Sequence, residues 1–167
     1  MDAELQALSI AVGTALATQK LTLACAESCT GGWISELVTS TAGSSEWFER
    51  GFVTYSNRAK QEMLGVAEES LAIHGAVSEE TAREMALGAL AHSHAQIALA
   101  VTGIAGPGGG SSGKPVGTVC FAWCRDRASA VSETQHFSGD REAVRRQAVI
   151  TSLRGLLSLL TGAKTVP

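Results

Sequence analysis

Short apolar segments alternate with helix-like segments along much of the chain, and this alternation constrains the fold more than any other feature. In residues 4–18 the apolar side chains recur every three or four positions, which is the spacing of one helix face. Strand-like segments follow at 21–26, 52–55 and 96–101, with helix-like segments between them. Strands separated by helices are typical of a sheet covered by helices, so the sequence predicts an α/β fold.

The C-terminal third departs from this alternation. The strand-like segments 116–124 and 131–137 follow each other too closely for a helix to lie between them. Such strands are expected to be neighbours in the sheet, which predicts a mixed sheet. The last helix should begin near Asp140 and carry an apolar stripe on one face.

Three further helices are predicted from local signals. Residues 33–39 and 57–64 favour helix, and Gly65 is placed to end the second because glycine tolerates a left-handed backbone. Ser78 is followed by two glutamates, so a hydroxyl cap precedes acidic residues at the positive end of the helix dipole. This helix is predicted to run to about residue 94.

Length and composition fit one domain spanning residues 1–167, because an apolar share of 45% is enough to bury a core. The longest apolar runs, such as 97–101, are far shorter than the roughly 20 residues that cross a bilayer. The N-terminal segment is acidic and lacks the basic and apolar blocks of a secretory signal. We therefore expect a cytoplasmic protein with no membrane partner.

Charge and aromatic content argue against nucleic acid as a partner. The formal net charge is −3, whereas nucleic-acid-binding proteins normally present a basic face. Aromatic residues make up 5% of the chain, too few for base-stacking platforms. A small anionic ligand needs only a few local donors, so a small-molecule substrate stays open.

The four cysteines form two CxxxC pairs, Cys25 with Cys29 and Cys120 with Cys124. Structural zinc sites allow this spacing, but glycine knuckles and a nearby histidine partner are missing. A chain with a sizeable core in a reducing compartment neither needs nor favours disulfides. The cysteines are therefore predicted to be buried free thiols, and no metal site is expected.

The glycine-rich stretch 106–115 is predicted to be a loop. Gly108, Gly113 and Lys114 match the GxxxxGK spacing of a phosphate-binding loop. The next residue is Pro115, where that motif needs a hydroxyl for magnesium, and a strand rather than a helix follows. A GxGxxG match in the same loop fails for the same lack of a helix. Neither nucleotide motif is accepted.

The stretch LACAESCTGGWI, residues 23–34, has a different character. A strand ending near Ala26 is followed by a turn over 27–32 and then a helix, so several backbone N–H groups converge near Ser28. Such a turn can hold an oxyanion or a phosphate. Ser28 itself is either a helix cap or a nucleophile on a strand-to-helix turn, and the stretch alone favours the cap.

A serine nucleophile needs a base, and the sequence has no GxSxG motif or obvious histidine partner. Tyr55 and Lys60 lie in YSNRAK, after the second strand. A lysine with a lowered pKa can deprotonate serine, although a solvated Lys60 is the default interpretation. Arg141 and Arg145 are four residues apart and share a helix face suited to phosphate or carboxylate, or simply to solvent.

Six motifs in order resemble the CinA C-terminal domain family. They are AESCTGG (26–32), GSSEWFERGFVTYSNRAK (43–60), HGAVSEE (74–80), VTGIAGPGGG (101–110), KPVGTV (114–119) and GDREAVRRQA (139–148). The resemblance implies a three-layer α/β/α sandwich with a mixed, mostly parallel sheet. It also implies a nicotinamide-nucleotide amidase of pyridine-nucleotide salvage, which converts nicotinamide mononucleotide (NMN) and water to nicotinate mononucleotide and ammonia.

With the resemblance added, Ser28 is expected to be the nucleophile, Lys60 its base and Tyr55 a proton relay or orienting group. The remaining predicted site residues are substrate contacts, with the turn amides holding either the oxyanion or the phosphate and one of the two arginines clamping the phosphate. These contacts are Glu27, Thr30, Gly31, Gly32, Thr102, Gly103, Arg141 and Arg145. No cofactor is expected. The resemblance also suggests a homodimer or higher homo-oligomer.

Many members of this family carry a larger N-terminal domain that is absent from this sequence, so we expect no pyrophosphatase activity. Two alternatives stay open. Cys29 could be the nucleophile, because a thiol near a helix N-terminus has a lowered pKa. The chain could also be a non-catalytic nucleotide-binding or competence-associated interaction module.

Overall fold

The structure, a computed structural model, describes residues 2–162, so the first residue and the last five of the predicted domain lie outside it. Within the described residues, five strands and six α-helices follow one another. The strands are β1 (Leu23–Glu27), β2 (Phe48–Val53), β3 (Ile97–Gly103), β4 (Thr118–Cys124) and β5 (Val131–His136). The helices are α1 (Ala3–Gln19), α2 (Trp33–Thr39), α3 (Asn57–Leu64), α4 (Glu68–His74), α5 (Glu79–Ala91) and α6 (Arg141–Thr161).

The strands form one sheet in the order β2-β1-β3-β4-β5. β1 pairs in parallel with both β2 and β3, while β4 is antiparallel to both of its neighbours. Four of the five described strands therefore run in the same direction, and β4 runs against them. This confirms the mixed, mostly parallel sheet.

Helices cover both faces of the sheet and enclose two apolar cores. One core packs α1, α2 and α6 against the sheet, with side chains such as Leu16, Leu99 and Leu153 fully buried. The other packs α3, α4 and α5 against the opposite face around residues such as Met85 and Ala100. The three-layer α/β/α sandwich is thus confirmed, and the central strands are buried on both sides.

The helix predictions at 33–39 and 57–64 match α2 and α3, and Gly65 ends α3 in the left-handed conformation. β2 begins at Phe48, four residues before its predicted start. It is an edge strand with several partly exposed side chains, so Glu49 and Arg50 are tolerated in it and disguise its first half. α4 was not predicted, because its one buried residue, Leu71, gives no helical periodicity.

None of the helices within residues 2–162 combines the length and apolar content of a membrane-spanning helix. The glycine-rich stretch 106–115 is indeed a loop that leads into a strand, β4. A helix does not follow it, which confirms the rejection of both nucleotide motifs.

Candidate active site

Ser28 and Lys60 meet at the carboxyl edge of the parallel strands. Ser28 follows the last residue of β1, and its N–H donates to the carbonyl of Val101 on β3 at 3.0 Å. On the other side, Thr54 after β2 donates its N–H to the Glu27 carbonyl at 2.8 Å. The serine is therefore held at the edge where open α/β sheets bind ligands.

Lys60 reaches this edge from α3. Ser56 caps the helix with its hydroxyl, and Lys60 lies one turn further on with a side chain that is only 1% exposed. Its Nζ lies 2.8 Å from Ser28 Oγ and 2.8 Å from the carbonyl oxygen of Thr54, to which it donates. The default interpretation of Lys60 as a solvated helix residue is therefore wrong.

Burial sets the chemistry of this lysine. Removal from water disfavours the charged ammonium and lowers the pKa of Lys60 from 10.5 to about 8. A minority of the amine, about a tenth at pH 7, is therefore neutral and able to act as a base. A neutral amine 2.8 Å from a hydroxyl can accept its proton, which is what a serine nucleophile requires of a base.

Ser28 is not a helix cap. The N-cap of α2 is Gly32, and the turn that precedes it needs glycine because Gly31 and Gly32 adopt φ values of +58° and +103°. The hydroxyl oxygen of Ser28 instead accepts a hydrogen bond from Lys60 Nζ at 2.8 Å. The structure thus decides against the cap that the stretch alone favours.

Glu27 contacts the protein's own main chain and hydroxyl groups, although the sequence predicts that it contacts the substrate. It is fully buried, and each carboxylate oxygen accepts two hydrogen bonds. Oε1 accepts from the Thr30 hydroxyl at 2.7 Å and the Ile34 N–H at 2.9 Å, and Oε2 accepts from the N–H and hydroxyl of Ser35 at 2.9 and 2.7 Å. The first turn of α2 does hold an anion, but that anion is the protein's own carboxylate. The predicted substrate contact by Glu27 is corrected accordingly.

Arg145 also lies apart from its predicted role as a phosphate clamp. Its Nε donates to the Cys29 carbonyl at 3.1 Å and its Nη2 to the Thr30 carbonyl at 3.0 Å. The guanidinium lies 5.3 Å from the centre of the Trp33 ring, within cation–π range. These contacts tie Arg145 to the serine turn.

A cavity of about 270 Å³ opens beside Ser28 and Lys60. Tyr55, Thr102, Gly103 and Arg141 line it with them, as the sequence predicts for pocket residues. Glu27, Thr30, Gly31, Gly32 and Arg145 are not among the residues that line it. The Gly31 N–H is already bound to the Ser28 carbonyl at 3.0 Å, so it does not serve the oxyanion or the phosphate.

Tyr55 and Arg141 form a pair at the mouth of this cavity. Arg141 Nη2 donates to the Tyr55 hydroxyl at 3.2 Å, and its Nη1 donates to the carbonyl of Gly106 at 2.7 Å. Tyr55 is 63% exposed, and Lys60 Nζ is 3.5 Å from its main-chain carbonyl. The hydroxyl of Tyr55 thus contacts Arg141, whereas its main-chain carbonyl lies near Lys60.

Thr102 and Gly103 form the inner wall at the end of β3. The Thr102 hydroxyl donates to the carbonyl of Ala76 at 2.9 Å and keeps its lone pairs free to accept. Gly103 lacks a side chain because β4 packs against it: a Cβ there would lie 2.7 Å from Val119 Cγ2. Its place in the wall is therefore explained by packing of the sheet.

The model of the CinA C-terminal domain family matches residues 5–160. The chain belongs to this family. The nicotinamide-nucleotide amidohydrolase PncC of Escherichia coli K12 is 56% identical over 155 residues, which are 93% of this chain and 94% of that protein. PncC of Pseudomonas putida is 57% identical over 136 residues, 81% and 84% of the two chains.

Solved structures of the CinA superfamily agree with the fold. The competence/damage inducible protein CihA from Agrobacterium tumefaciens superposes with a TM-score of 0.92 at 44% identity, covering 95% of this chain and 97% of that one. The fold is therefore shared with this solved structure.

Cys29, the alternative nucleophile in this CinA-family chain, has a pKa too high for a thiolate nucleophile. Burial raises the pKa of the Cys29 thiol from 9.0 to about 12, so the thiol is protonated at neutral pH. All four cysteines are buried and unpaired. No group of three or more potential metal-ligating side chains occurs among residues 2–162.

Several cavity residues of the CinA-family site were missed by sequence reasoning. Asn57 at the start of α3, Val77 before α5, and the loop residues Gly106, Gly108 and Gly109 all line the cavity. The loop was recognised as glycine-rich, and glycines that let a ligand approach the main chain were the available signal. Asn57 and Val77 have no sequence signature of their own.

Proposed function

We propose that this chain hydrolyses the carboxamide of NMN, giving nicotinate mononucleotide and ammonia. The observation that carries the proposal is the 2.8 Å contact between Lys60 Nζ and Ser28 Oγ at the wall of a cavity. Relatives that are 56% and 57% identical are nicotinamide-nucleotide amidohydrolases, which indicates the substrate. Pyridine-nucleotide salvage is the process that such a reaction serves.

In the first half-reaction, Ser28 Oγ attacks the carboxamide carbon. Neutral Lys60 accepts the hydroxyl proton as the new C–O bond forms, and the carbonyl oxygen becomes an oxyanion. When the tetrahedral intermediate collapses, the C–N bond breaks and the proton on Lys60 passes to the leaving nitrogen. Ammonia departs, and an ester to Ser28 remains.

Water completes the reaction by the same route. Lys60 accepts a proton from a water molecule as its oxygen attacks the ester carbonyl, and the C–O bond to Ser28 breaks on collapse. The proton returns to Ser28 Oγ, and nicotinate mononucleotide is released as a carboxylic acid, which loses its proton to the solvent and becomes a carboxylate. Each proton that Lys60 takes up is given back within the same half-reaction.

The lining groups fit the two ends of this substrate. Thr102 Oγ1 has lone pairs free to accept from the carboxamide N–H groups near Ser28. Arg141 lies at the mouth beside the main chain of Gly106. We assign the phosphate to Arg141 because guanidinium groups bind phosphate oxygens through paired donors, and because Arg145 is committed to the serine turn. Tyr55 orients Arg141 through its hydroxyl.

The proposal is tested by incubating the purified chain with NMN, with and without EDTA, and measuring ammonia and nicotinate mononucleotide. Equal amounts of both products are expected, unchanged by EDTA. Ser28→Ala, prepared in parallel, controls for contaminating amidases and should release neither product. Absence of product from the wild type at high protein concentration would instead favour the non-catalytic nucleotide-binding or interaction module.

Three further proposals concern the extent of the domain, its compartment and its oligomeric state. We propose that residues 1–167 form one amidase domain, that it acts in the cytoplasm, and that it forms a homodimer or higher homo-oligomer. Light scattering on the purified chain measures its mass in solution. A mass equal to one chain, 17.2 kDa, across a range of concentrations would reject the oligomer.

A further inference from the structure

The turn that carries Ser28 is held by two opposite charges, one on each side of its peptide groups. Glu27 accepts the Ile34 and Ser35 N–H groups at the start of α2 and the Thr30 hydroxyl, and it is fully buried. Arg145 donates to the carbonyls of Cys29 and Thr30. The anion thus holds N–H and O–H groups, while the cation holds carbonyl groups.

These contacts fix the direction of two peptide N–H groups. In a planar trans peptide the carbonyl and the N–H point in opposite directions. The Ser28 carbonyl is held by the Gly31 N–H, which sets the N–H of Cys29. The Cys29 carbonyl is held by Arg145, which sets the N–H of Thr30 facing away from α6. Arg145 also holds the Thr30 carbonyl, which sets the Gly31 N–H that binds the Ser28 carbonyl. Within residues 2–162 the Cys29 N–H has no acceptor besides its own thiol, whereas the Thr30 N–H is buried away from the cavity.

Unused N–H groups next to a nucleophile are the donors that an oxyanion needs. Hydrolases with a serine on a strand-to-helix turn use the N–H of the residue after the nucleophile in this way. Cys29 is that residue, and it lines the cavity. Donors of this kind act only if they are aimed before the reaction begins, which requires a rigid turn.

We infer that Glu27 and Arg145 are paired positioning residues that hold the serine turn so that the N–H of Cys29 serves as an oxyanion donor. This inference rests on the proposed serine mechanism but goes beyond it. It assigns to two charged residues, which sequence reasoning takes for substrate contacts, a role in aligning the turn. Neither residue touches the reacting atoms.

Arg145 could either hold the serine turn together with Glu27, a pair called the clamp below, or bind the phosphate. These two roles make opposite kinetic predictions for Arg145→Ala. A loosened turn lowers kcat for NMN by about 100-fold and leaves KM within about twofold, since a misaligned oxyanion donor affects the transition state. A lost phosphate contact would raise KM and leave kcat near the wild-type value. Added methylguanidinium should restore part of kcat. Arg146→Ala is the matched control, because Arg146 is the next residue of α6 and pairs with Asp2 and Glu4 at the surface.

Glu27 is tested through its own side chain and through one of its donors. Glu27→Gln replaces an oxygen by an NH₂ group that faces N–H or O–H donors, so kcat should fall as in Arg145→Ala. Thr30→Val keeps the side-chain shape and removes one of the four hydrogen bonds. It should fold and lower kcat by about tenfold, again with KM unchanged. A Thr30→Val variant with wild-type kcat would overturn the role of Glu27, whatever the folding of Glu27→Gln.

A small fluorophosphonate separates failure of this inference from failure of the proposed function. Attack by Ser28 Oγ forms an O–P bond and expels fluoride while Lys60 takes the proton, so labelling needs no NMN. Slower labelling of Arg145→Ala, with Arg146→Ala unchanged, supports the clamp even if the wild type does not hydrolyse NMN. Equal labelling rates in Arg145→Ala and the wild type would overturn the clamp even if NMN is hydrolysed.

Discussion

At the scale of single residues, the decisive feature is a lysine whose position in the chain gives no hint of its burial. Lys60 lies in a polar helix whose neighbouring Arg58 is exposed, and its own side chain is 1% exposed. Desolvation lowers its pKa to about 8. Burial depends on tertiary structure. The sequence therefore could indicate Lys60 as a base only through its position near Tyr55 and through the family motif.

The lowered pKa predicts how activity depends on pH. Below about pH 8 Lys60 is mostly protonated and cannot take the proton of Ser28, so kcat/KM for NMN should fall about tenfold per pH unit. Above this pH it should level off. The measurement is the initial rate at low NMN concentration from pH 6 to 9.5. A profile that is flat from pH 6 to 9 would contradict Lys60 as the base.

Cys29 offers a second test at this scale. Its buried thiol has a pKa of about 12, so Cys29→Ala should keep kcat within about twofold of the wild type. The substitution leaves the main-chain N–H in place. Iodoacetamide should likewise leave the activity of the folded wild type intact. Loss of turnover in Cys29→Ala with an unchanged melting temperature would revive the thiol mechanism.

At the scale of elements, α6 shows how far helical periodicity predicts a site. The spacing of Arg141 and Arg145 predicts only that they share one helix face, and in the structure both donate to main-chain carbonyls near the site. Their roles differ because Arg141, the first residue of the helix, reaches the Gly106 carbonyl, while Arg145 reaches the serine turn one helical turn later. The path of the turn over 27–32 decides this division, and the sequence does not reveal that path.

The phosphate assignment is tested on Arg141. Arg141→Ala removes a charged donor from the mouth of the cavity, so KM for NMN should rise by about 10- to 100-fold with little change in kcat. Nicotinamide riboside lacks the phosphate, and its kcat/KM should be the same in the variant and the wild type. Equal losses with both substrates would show that Arg141 does not bind the phosphate.

At the scale of the whole molecule, sheet topology brings together residues that are far apart in sequence. Ser28 follows β1, Lys60 lies in the helix after β2, and Thr102 lies in β3. They meet because β1, β2 and β3 run in parallel and end at one edge. The alternation of segments predicts such an edge. The alternation does not predict that the buried carboxylate of Glu27 accepts hydrogen bonds from the first turn of α2. From the sequence, a carboxylate before a serine is equally consistent with a substrate contact.

The buried lysine also affects global stability. Lys60 binds its proton less tightly in the folded chain, with a pKa of about 8, than in the unfolded chain, near 10.5. Between these values the unfolded chain holds more protons, so raising the pH favours folding. From pH 7 to 10 the free energy of unfolding of the wild type should rise relative to Lys60→Met by more than about 1 kcal/mol. Parallel curves from urea unfolding would contradict a buried, perturbed amine.

We propose that Ser28 and Lys60 act as one catalytic unit on NMN, and a double-mutant cycle tests this unit most directly. The measurement is kcat for the wild type, Ser28→Ala, Lys60→Ala and the double variant. Each single variant should lose at least about 1,000-fold, and the double variant should be no worse than the singles, because either loss disables the same proton transfer. A single variant with near wild-type kcat, or losses that multiply in the double variant, would contradict the claim.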